Sequence, residues 1–305
     1  MKLNFSNINV LLIGDFMADL YIYGTSIRQS PEAPVPIIIK QKIDFFPGGA
    51  GNVAMNLRAL GANVSCVGSV GNDESGKELI KIFQKQEIDC QHIKIEETKT
   101  TLKKRYFSNG TQILRVDEEE ILEDWKPKLL TQLKLKKFEL IILSDYNKGV
   151  LNKNWFKDLQ CQKIIVDPKK NNFSFYSNAK IITPNLIELQ QATQIEIIDF
   201  ESIKSACYEI LTNTNLDYIV VKMGEKGMMV VGNNNFSKII EPHFVQNPDV
   251  TGAGDTVIAS FSLAYAKFGD VELAAKIANA AASIAVGKKG TATVKTKEIE
   301  NLLSK

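Results

Sequence analysis

The chain has 305 residues, of which 44% are hydrophobic and 24% are charged, and its formal net charge at pH 7 is +2. These values are ordinary for a globular protein, so they give no reason to expect nucleic acid or a membrane surface as a partner. No apolar run is long enough to cross a bilayer, and residues 1–9 contain no signal-peptide core, so we expect a cytoplasmic protein.

The cysteines and histidines are few and scattered. The chain has four cysteines and two histidines. None of the cysteines lies at a metal-binding or redox spacing, so we expect reduced, mostly buried thiols. A His/Cys metal cluster and a Ser-His-Asp triad are both disfavoured by this composition. The residues are Cys66, Cys90, Cys161, Cys207, His92 and His243.

The first part of the chain predicts a strand and then a small sheet. Residues 10–14 are an apolar run ending in glycine, typical of a buried strand, and Asp15 follows it. Ligands collect at the carboxyl ends of such strands, so Asp15 can accept hydrogen bonds from substrate hydroxyls, although a turn aspartate fits equally well. Between residues 20 and 43, three prolines exclude a helix and favour edge strands or a loop, which we interpret as part of a β-sheet lid.

Three glycines then approach a helix predicted over residues 52–60. Gly48, Gly49 and Gly51 allow a close approach, and Asn52 offers a side chain that can both donate to and accept from a hydroxyl. A plain glycine turn with an asparagine cap is the alternative. A strand over 62–68 and a helix over 74–84 follow.

A basic hairpin is predicted around Ser108-Asn-Gly110. It carries Lys103, Arg105 and Arg115. These cations could bind a phosphate already present on a substrate, or they could form a solvated edge that resists aggregation. Arg115 could also pair with Asp117.

From residue 125 onward apolar strands alternate with helical segments. We predict strands at 139–144, 163–166, 181–183, 218–222, 227–231 and 237–245, and helices at 127–135, 155–159, 185–192, 202–212, 257–267 and 271–286. This alternation predicts an α/β fold with a doubly wound, mostly parallel sheet and helices on both faces. Polar residues follow successive strands, as a ligand-binding sheet edge requires. They are Asp145, Asp167, Lys169, Asn185 and Glu188.

Two of these residues, Asn185 and Glu188, lie one turn apart on a predicted helix. Such a pair can hold a hydrated Mg²⁺ with phosphate oxygens, or it can be a helix cap followed by a solvated glutamate. Lys222 to Gly227 is a glycine turn on which a nucleotide could rest, or only a hairpin. The alanine-rich helix containing Asn279 could pack against an adenine ring or simply against another helix.

The stretch from Asn247 to Thr256 carries the sharpest chemical signal. The backbone N–H groups at a helix N-terminus attract anions, and Gly252, Ala253 and Gly254 let an anion approach them. Asp255 places a carboxylate beside that site, which suggests phosphoryl transfer with Asp255 as the base. A glycine-rich turn before a helix is the plainer alternative. No Walker A motif is present, so a P-loop fold is unsupported.

Several motifs, in order along nearly the whole chain, resemble one family. Asp249-x-x-Gly-Ala-Gly-Asp255 resembles the signature of the ribokinase-like, phosphofructokinase-B type sugar kinases. The run Ser30-Pro-Glu-Ala-Pro-Val-Pro36 is more specific. With segments 14–19, 47–56, 143–149 and 183–188, it resembles the D-glycero-β-D-manno-heptose 7-phosphate kinases, which occur alone or as the N-terminal half of a bifunctional kinase–adenylyltransferase. Gly51 and Phe16 depart from that family, where alanine and valine are usual.

The resemblance implies a single ribokinase-like kinase domain over residues 1–305, with a lid at about 19–44 and 98–117. It implies transfer of the γ-phosphoryl group of MgATP to the anomeric hydroxyl of heptose 7-phosphate, in lipopolysaccharide core synthesis. It also implies a homodimer through the lid.

The same resemblance implies a role for each matching residue. Asp255 would be the base and residues 252–254 the anion hole. Asp15, Gly48, Gly49 and Asn52 would hold the sugar, and Lys103, Arg105, Arg115, Lys148 and Lys169 are candidates for its 7-phosphate. Asn185 and Glu188 would serve Mg²⁺ and the ATP phosphates, and Lys222, Gly224, Gly227 and Asn279 would line the nucleotide site. Asp249 and Thr251 would bind a monovalent cation such as K⁺.

Three other functions are alternatives to this one. Another sugar or sugar-phosphate kinase, for ribose, fructose or tagatose phosphate, shares most of these motifs. A non-catalytic sugar or nucleotide sensor would be expected to lack Asp255, Asn185 or Glu188, which are all present. A Rossmann dehydrogenase is disfavoured because no Gly-x-Gly-x-x-Gly follows the first strand.

Overall fold

The computed structural model describes residues 2–123, 125–127, 137–152, 155, 159 and 163–304. Within these residues the strands are β1 Asn9–Gly14, β2 Phe16–Thr25, β3 Ile39–Gly49, β4 Asn63–Gly71, β5 Asp89–Glu96, β6 Thr101–Ser108, β7 Thr111–Glu118, β8 Leu140–Ser144, β9 Ile164–Asp167, β10 Ile181–Ile182, β11 Tyr218–Lys222, β12 Met228–Gly232 and β13 Phe236–Ile240. The helices are α1 Ala50–Ala59, α2 Glu74–Lys85, α3 Leu186–Thr193, α4 Phe200–Thr212, α5 Ala253–Phe268, α6 Val271–Val286 and α7 Thr296–Leu303.

The larger sheet has the strand order β13-β12-β11-β10-β9-β8-β1-β4-β5. Neighbouring strands are parallel from β11 through β5, and only β12 runs antiparallel to its two neighbours. The carboxyl ends of the parallel strands therefore meet at one edge of the sheet. Ligands of open α/β sheets bind at this edge.

The core lies on both faces of this sheet, as the strand period of two requires. Along β1, Val10 and Leu12 pack into one cluster with α1, α5 and α6, whereas Leu11 and Ile13 pack into the other with α4. All four side chains are fully buried. From Val10 onward β1 is apolar because neither of its faces meets solvent.

A separate four-stranded sheet, with the order β3-β2-β6-β7, forms the lid. β1 ends at Gly14 and β2 starts at Phe16, so the single residue Asp15 joins the two sheets. β2 pairs antiparallel with β3 and parallel with β6, and β6 pairs antiparallel with β7 through the predicted turn at Asn109 and Gly110. Asp19, Lys103 and Asp117 are aligned across three strands of this sheet.

The predicted doubly wound sheet, with helices on both faces and a small lid, is confirmed. Two elements were not predicted: the edge strand β5 and the C-terminal helix α7. The helices predicted at 127–135 and 155–159 lie mostly outside the described residues, and Cys161 lies wholly outside them. In the part of the chain that the structure describes, no helix has the length and apolar character that crossing a membrane demands.

Candidate active site

Asp255 lies in the first turn of α5 with 4% of its surface exposed. Its carboxylate accepts two hydrogen bonds from distant parts of the chain. The hydroxyl of Tyr146 donates to Oδ1 at 2.6 Å, and Nδ2 of Asn52 donates to Oδ2 at 2.8 Å. Burial raises the pKa of Asp255 to about 7 although these two donors and Lys222 oppose the rise. A carboxyl with this pKa is suited to accept a proton near neutral pH.

The loop before α5 has the backbone of an anion site. Gly252 caps the helix with φ +74°, and a Cβ there would stand 2.5 Å from Nδ2 of Asn52, so glycine is required. Within the described residues, the N–H groups of Gly252, Gly254 and Asp255 have no backbone acceptor. Ala253 differs from our expectation, because its N–H already donates to the carbonyl of Val250 at 3.2 Å.

Lys222, predicted to line the nucleotide site, lies at this helix terminus. A Cβ on Gly254 would stand 3.4 Å from the Lys222 ammonium. The ammonium is paired with Asp167, whose carboxylate also accepts from Thr183 at 2.9 Å. Burial would lower the pKa of Lys222, but the negative charges around it, first Asp167, outweigh burial and raise it. A permanent positive charge therefore stands beside the free N–H groups.

Asp15 organises a loop. Its buried carboxylate accepts the backbone N–H groups of Tyr146 at 2.8 Å, Lys148 at 3.1 Å and Val150 at 3.1 Å. Burial and the charge of Asp145 raise the pKa of Asp15 to about 6 against these three donors. Its role as a substrate ligand stays a prediction.

At the two positions predicted to hold a sugar, Gly48 and Gly49, the local backbone and packing require glycine. A Cβ on Gly48 would stand 2.6 Å from Oδ2 of Asp19, and Gly49 begins α1 at φ +55°. The departure at Gly51 has a steric reason, because a Cβ there would meet Pro47 at 2.9 Å and the Phe83 ring at 3.2 Å.

The predicted lid cations all have carboxylate partners. Arg105 pairs with Asp19 at 2.5 Å and stacks on Tyr21, which places it on the lid face that contains these two buried residues. Arg115 makes a two-pronged contact with Asp117, 2.8 Å for each hydrogen bond, and is half exposed. Pairing with Asp117 is one of the three alternatives given for Arg115 in the sequence analysis.

Lys103 and Lys148 converge on one carboxylate. The Nζ of Lys103 lies 3.4 Å from Oε1 of Glu119, and the Nζ of Lys148 lies 2.5 Å from Oε2. Both side chains are mostly buried. Lys148 also lines, with Asp15, a small pocket of about 20 Å³. Lys148 is therefore the cation beside Asp15, and Lys103 is joined to it through Glu119.

Asn185 and Glu188 form a capping box at the start of α3. The Asn185 side chain accepts the N–H of Glu188 at 2.8 Å, and the Glu188 carboxylate accepts the N–H of Asn185 at 2.9 Å. The other Glu188 oxygen pairs with Lys169 at 3.1 Å, so this candidate for the sugar phosphate lies beside the start of α3. The helix cap, which was the alternative for this pair, is thus present. The Glu188 carboxylate also acts on the charges of Asp167 and Lys222.

Metal binding by protein side chains alone is not supported. The described residues contain no group of three or more His, Cys, Asp or Glu side chains that could hold an ion. Magnesium keeps several waters and binds through phosphates with one or two carboxylates, so the oxygens of Glu188 and Asn185 fit a hydrated ion brought by a nucleotide.

The loop around Asp249 has oxygens suited to a monovalent cation. Asp249 accepts the N–H groups of Thr251 at 3.1 Å and Gly290 at 2.8 Å. Burial would raise the pKa of Asp249, but these donors outweigh burial and lower it. Nearby, the buried Oγ1 of Thr291 has no hydrogen-bond partner within the described residues. A charged carboxylate and an unpaired hydroxyl are the ligand types that a hard cation prefers.

Three residues expected to line the nucleotide have structural roles. Gly227 has φ +83°, and a Cβ there would stand 2.1 Å from the carbonyl of Ile240. Asn279 is buried in α6 and donates to the carbonyl of Glu241 at 2.6 Å. Gly224, at φ +62°, faces open space. None of these contacts occupies the acceptor oxygen of Asn279.

Sequence reasoning missed Tyr146 as a partner of Asp255 and did not assign Asp167 to the site. Tyr146 lies in the segment from Leu143 to Gly149 that carries the family resemblance, which was its only signal. Asp167 was placed at a strand end, but its pairing with Lys222 depends on the order of β9, β10 and β11 in the sheet.

The comparisons with known proteins identify the family. Residues 7–298 match the model of the pfkB family carbohydrate kinases. A curated relative, "Bifunctional protein HldE" of Sulfurimonas denitrificans, is 41% identical over 303 residues, which is 95% of this chain and 63% of that protein. The chain thus spans less than two thirds of the length of that relative.

Solved structures share the fold. Ribokinase from Thermotoga maritima superposes with a TM-score of 0.79 at 20% identity, covering 98% of this chain and 100% of its own. Arabidopsis thaliana ribokinase complexed with ribose and ATP gives a TM-score of 0.77 at 20% identity, covering 98% and 99%. Phosphofructokinase-2 from Escherichia coli in complex with potassium gives 0.76 at 20% identity, covering 98% of each chain.

The family model matches nearly the whole chain, over residues 7–298. The chain belongs to the pfkB family of carbohydrate kinases.

Proposed function

We propose that the chain transfers the γ-phosphoryl group of ATP to the anomeric hydroxyl of D-glycero-β-D-manno-heptose 7-phosphate, giving heptose 1,7-bisphosphate for ADP-heptose and lipopolysaccharide core synthesis. The observation that carries the chemistry is the buried Asp255 carboxylate beside free helix N–H groups and Lys222. The choice of sugar rests on the Ser30 to Pro36 motif and on the similarity to the HldE protein.

In the proposed reaction, the substrate hydroxyl attacks the γ-phosphorus. A bond forms between that oxygen and phosphorus, the bond from phosphorus to the bridging oxygen breaks, and ADP leaves with the bond's electron pair. Asp255 takes the hydroxyl proton. The N–H groups of Gly252, Gly254 and Asp255, together with Lys222, stabilise the charge on the transferred group, and such preorganised donors are a large part of catalysis.

The phosphate already on the sugar is proposed to bind Lys103 and Lys148. Their charges meet at Glu119, and Lys148 lines a small pocket together with Asp15. A phosphate dianion can displace one carboxylate there, because it offers more charge and more acceptor oxygens. Arg105 is proposed to contribute from the inner lid face, whereas exposed Arg115 contributes little.

ATP with Mg²⁺ is the proposed cosubstrate. Glu188 and Asn185 would hold the hydrated ion through water, and the ion would neutralise phosphate charge. Asp249, Thr251 and Thr291 would hold a monovalent cation. The related phosphofructokinase-2 fold in complex with potassium is consistent with that assignment.

We also propose a homodimer through the lid, with residues 1–305 forming one kinase domain. Leu114, Val116 and Ile43 lie on β7 and β3, the two edge strands of the lid, and are 53%, 38% and 45% exposed. An exposed apolar surface on a sheet with free edges is a pairing site. Light scattering after gel filtration tests this, and a monomer at micromolar concentration would contradict it.

A substrate panel tests the proposed function. The purified chain is incubated with MgATP and heptose 7-phosphate, ribose, fructose, fructose 6-phosphate or tagatose 6-phosphate, and products are identified by ³¹P NMR. We expect transfer to C1 of heptose 7-phosphate with the highest kcat/KM. A higher kcat/KM for another sugar would mean that the chain is a kinase of that sugar instead. ATP binding without transfer to any sugar would overturn the proposal.

A further inference from the structure

The carboxylate of Asp255 is held from two sides by groups that are remote in the chain. Tyr146 lies in the loop after β8 and reaches Oδ1, while Asn52 lies in α1 and reaches Oδ2. Two donors at 2.6 and 2.8 Å fix the plane of the carboxylate group. Each carboxylate oxygen keeps a second lone pair for a substrate hydroxyl.

We propose that Tyr146 is a positioning residue for phosphoryl transfer: its hydroxyl holds the Asp255 carboxylate in one orientation and stabilises its ionised form. This inference rests on the proposed function, in which Asp255 takes the proton of the attacking hydroxyl. Asn52 cannot do this alone, because one donor leaves the carboxylate free to rotate about the remaining hydrogen bond.

Tyr146 is itself held in place. Its backbone N–H donates to Oδ2 of Asp15 at 2.8 Å, and the next residue, Asn147, donates its N–H to Asp145 at 2.7 Å while adopting φ +57°. The N–H groups of Lys148 and Val150 also bind Asp15. The loop therefore presents the phenol from a backbone that several hydrogen bonds restrain.

The phenol stays a donor throughout the range in which Asp255 titrates. Burial, followed by the charges of Asp255 and Asp167, raises the pKa of Tyr146 well above its usual value. A neutral phenol donates a hydrogen bond to the ionised carboxylate and so favours that form over the protonated one.

The other charged groups around Asp255 do not replace this hydrogen bond. Asp167 disfavours ionisation of Asp255, and Lys222 favours it. Lys222 is already paired with Asp167, so its effect on Asp255 is shared. Asp19 acts on Tyr146 and strengthens its preference for the neutral form. Removing the Tyr146 hydroxyl thus removes one of two direct donors to a buried charge.

The first test is the pH profile of Tyr146→Phe. A hydrogen bond to a charged group corresponds to about one to two pH units, so the acid limb of kcat/KM for heptose 7-phosphate should move up by about that much. We expect kcat at pH 7 to fall about tenfold, with partial recovery at higher pH. The KM for ATP should stay within about twofold of wild type.

Tyr208→Phe is the matched control. It also removes one phenolic hydroxyl, and the Tyr208 hydroxyl is buried without a hydrogen-bond partner among the described residues. Its pH profile should superimpose on that of wild type. A profile of Tyr146→Phe that also superimposes on wild type would overturn the inference.

A second variant keeps the shape of the side chain, and for it we expect the acid limb to shift in the opposite direction. Incorporation of 3-fluorotyrosine at position 146 makes the phenol a stronger donor, so the acid limb should move to lower pH. A purely structural role for Tyr146 gives no such reversal. Shifts in the same direction for both replacements would also contradict the inference.

A titration without turnover separates this inference from the proposed function. The Asp255 carboxyl is followed by ¹³C NMR in the intact chain and assigned by its absence in Asp255→Asn. Its apparent pKa should rise in Tyr146→Phe, and an unchanged value would overturn the inference. If wild type transfers no phosphoryl group to any sugar, the proposed function fails, and this titration still decides the role of Tyr146 in stabilising the ionised carboxylate.

Discussion

Lys222 and Asp167 form a buried ion pair beside the N-terminus of α5. The sheet order brings these two residues together. Asp167 ends β9 and Lys222 ends β11, and the two strands flank the two-residue strand β10. The pair brings a fixed cation to the anion site without leaving an unbalanced charge in the protein. Lys222 is thus a candidate for the group that grips the transferred phosphoryl.

We predict that Lys222→Met lowers kcat by about 100-fold or more, as loss of one donor to a developing charge does. It should also destabilise the fold by about 3–5 kcal/mol, because Asp167 is left buried and unpaired. Steady-state kinetics and denaturant unfolding check both effects.

The double variant Lys222→Met/Asp167→Asn separates the two effects. Stability should largely return, because no lone charge is buried, while activity should not. Lys180→Met is the control, since its pair with Asp217 at 3.5 Å is about half exposed. Wild-type kcat in the Lys222 variant would show that the ammonium does not serve catalysis.

Because the pKa of Asp255 is raised, we expect its ionisation to lower the free energy of unfolding at high pH. In the unfolded chain this carboxyl titrates near 3.8, and in the folded chain near 7. The folded form binds the proton more tightly, so the stabilisation present below pH 4 is lost as the pH rises through about 7. Above that pH the ionised carboxylate lowers the free energy of unfolding by up to about 4 kcal/mol.

Asp255→Asn should therefore be more stable than wild type at pH 8 by about 2 kcal/mol or more, and the difference should shrink towards zero at pH 4. Asp15, whose pKa also rises, titrates in both proteins and cancels in the comparison. Thermal unfolding at the two pH values measures this. Equal stabilisation at pH 4 and pH 8 would exclude a titration of Asp255 as its cause.

Gly252→Ala and Gly269→Ala form a matched pair. Both glycines cap helices in the left-handed region, with φ +74° and +68°. A Cβ at Gly252 meets the Asn52 amide at 2.5 Å, whereas one at Gly269 meets nothing within 4 Å. Each variant should lose about 1 kcal/mol of stability from backbone strain.

Only Gly252→Ala should lose activity, by about 100-fold, because the displaced Asn52 amide no longer positions Asp255. Kinetics with saturating ATP and unfolding curves distinguish the two variants. Equal activity in both would mean that the contact between α1 and the Gly252 turn is not needed for transfer.

The lid cations predict a second contrast. Lys148→Met should raise the KM for the sugar phosphate about tenfold or more, because it removes a mostly buried charge beside Asp15. Arg115→Gln should change it by less than about twofold, since Arg115 is half exposed and engaged with Asp117. Glu119→Gln should lower that KM, since it removes the competing carboxylate. A larger effect of Arg115→Gln than of Lys148→Met would relocate the phosphate site.

The sequence predicted most of the fold because apolar strands and helical periods alternate clearly after residue 139. The strand β5 was not predicted because its polar residues Asp89, His92 and Lys94 interrupt the apolar run that marks a buried strand. The short helix α7, after the last glycines, was not predicted either. The sequence could place Asp15, Asp145 and Asp167 at strand ends, since parallel strands share one edge. It could not say which of them would face a ligand and which would accept backbone N–H groups.

The candidate site shows the same division. Asp255, Gly252 and Asn52 were predicted as members and lie together. The contact of Tyr146 with Asp255 joins residues 109 positions apart, and no local pattern encodes that separation. In the sequence, Lys169 and Lys148 look alike, since both are basic residues after strands. Only the folded structure shows that Lys169 pairs with Glu188 and Lys148 with Glu119.

The central claim is that Asp255 takes the proton of the attacking hydroxyl, and single-turnover transfer from γ-³²P-ATP tests it most directly. Wild type and Asp255→Asn are each mixed in excess with labelled ATP and heptose 7-phosphate, and ATP affinity is measured separately. We predict that Asp255→Asn binds ATP within about twofold of wild type and transfers at least about 1,000-fold more slowly. Transfer by Asp255→Asn within tenfold of the wild-type rate would contradict the account.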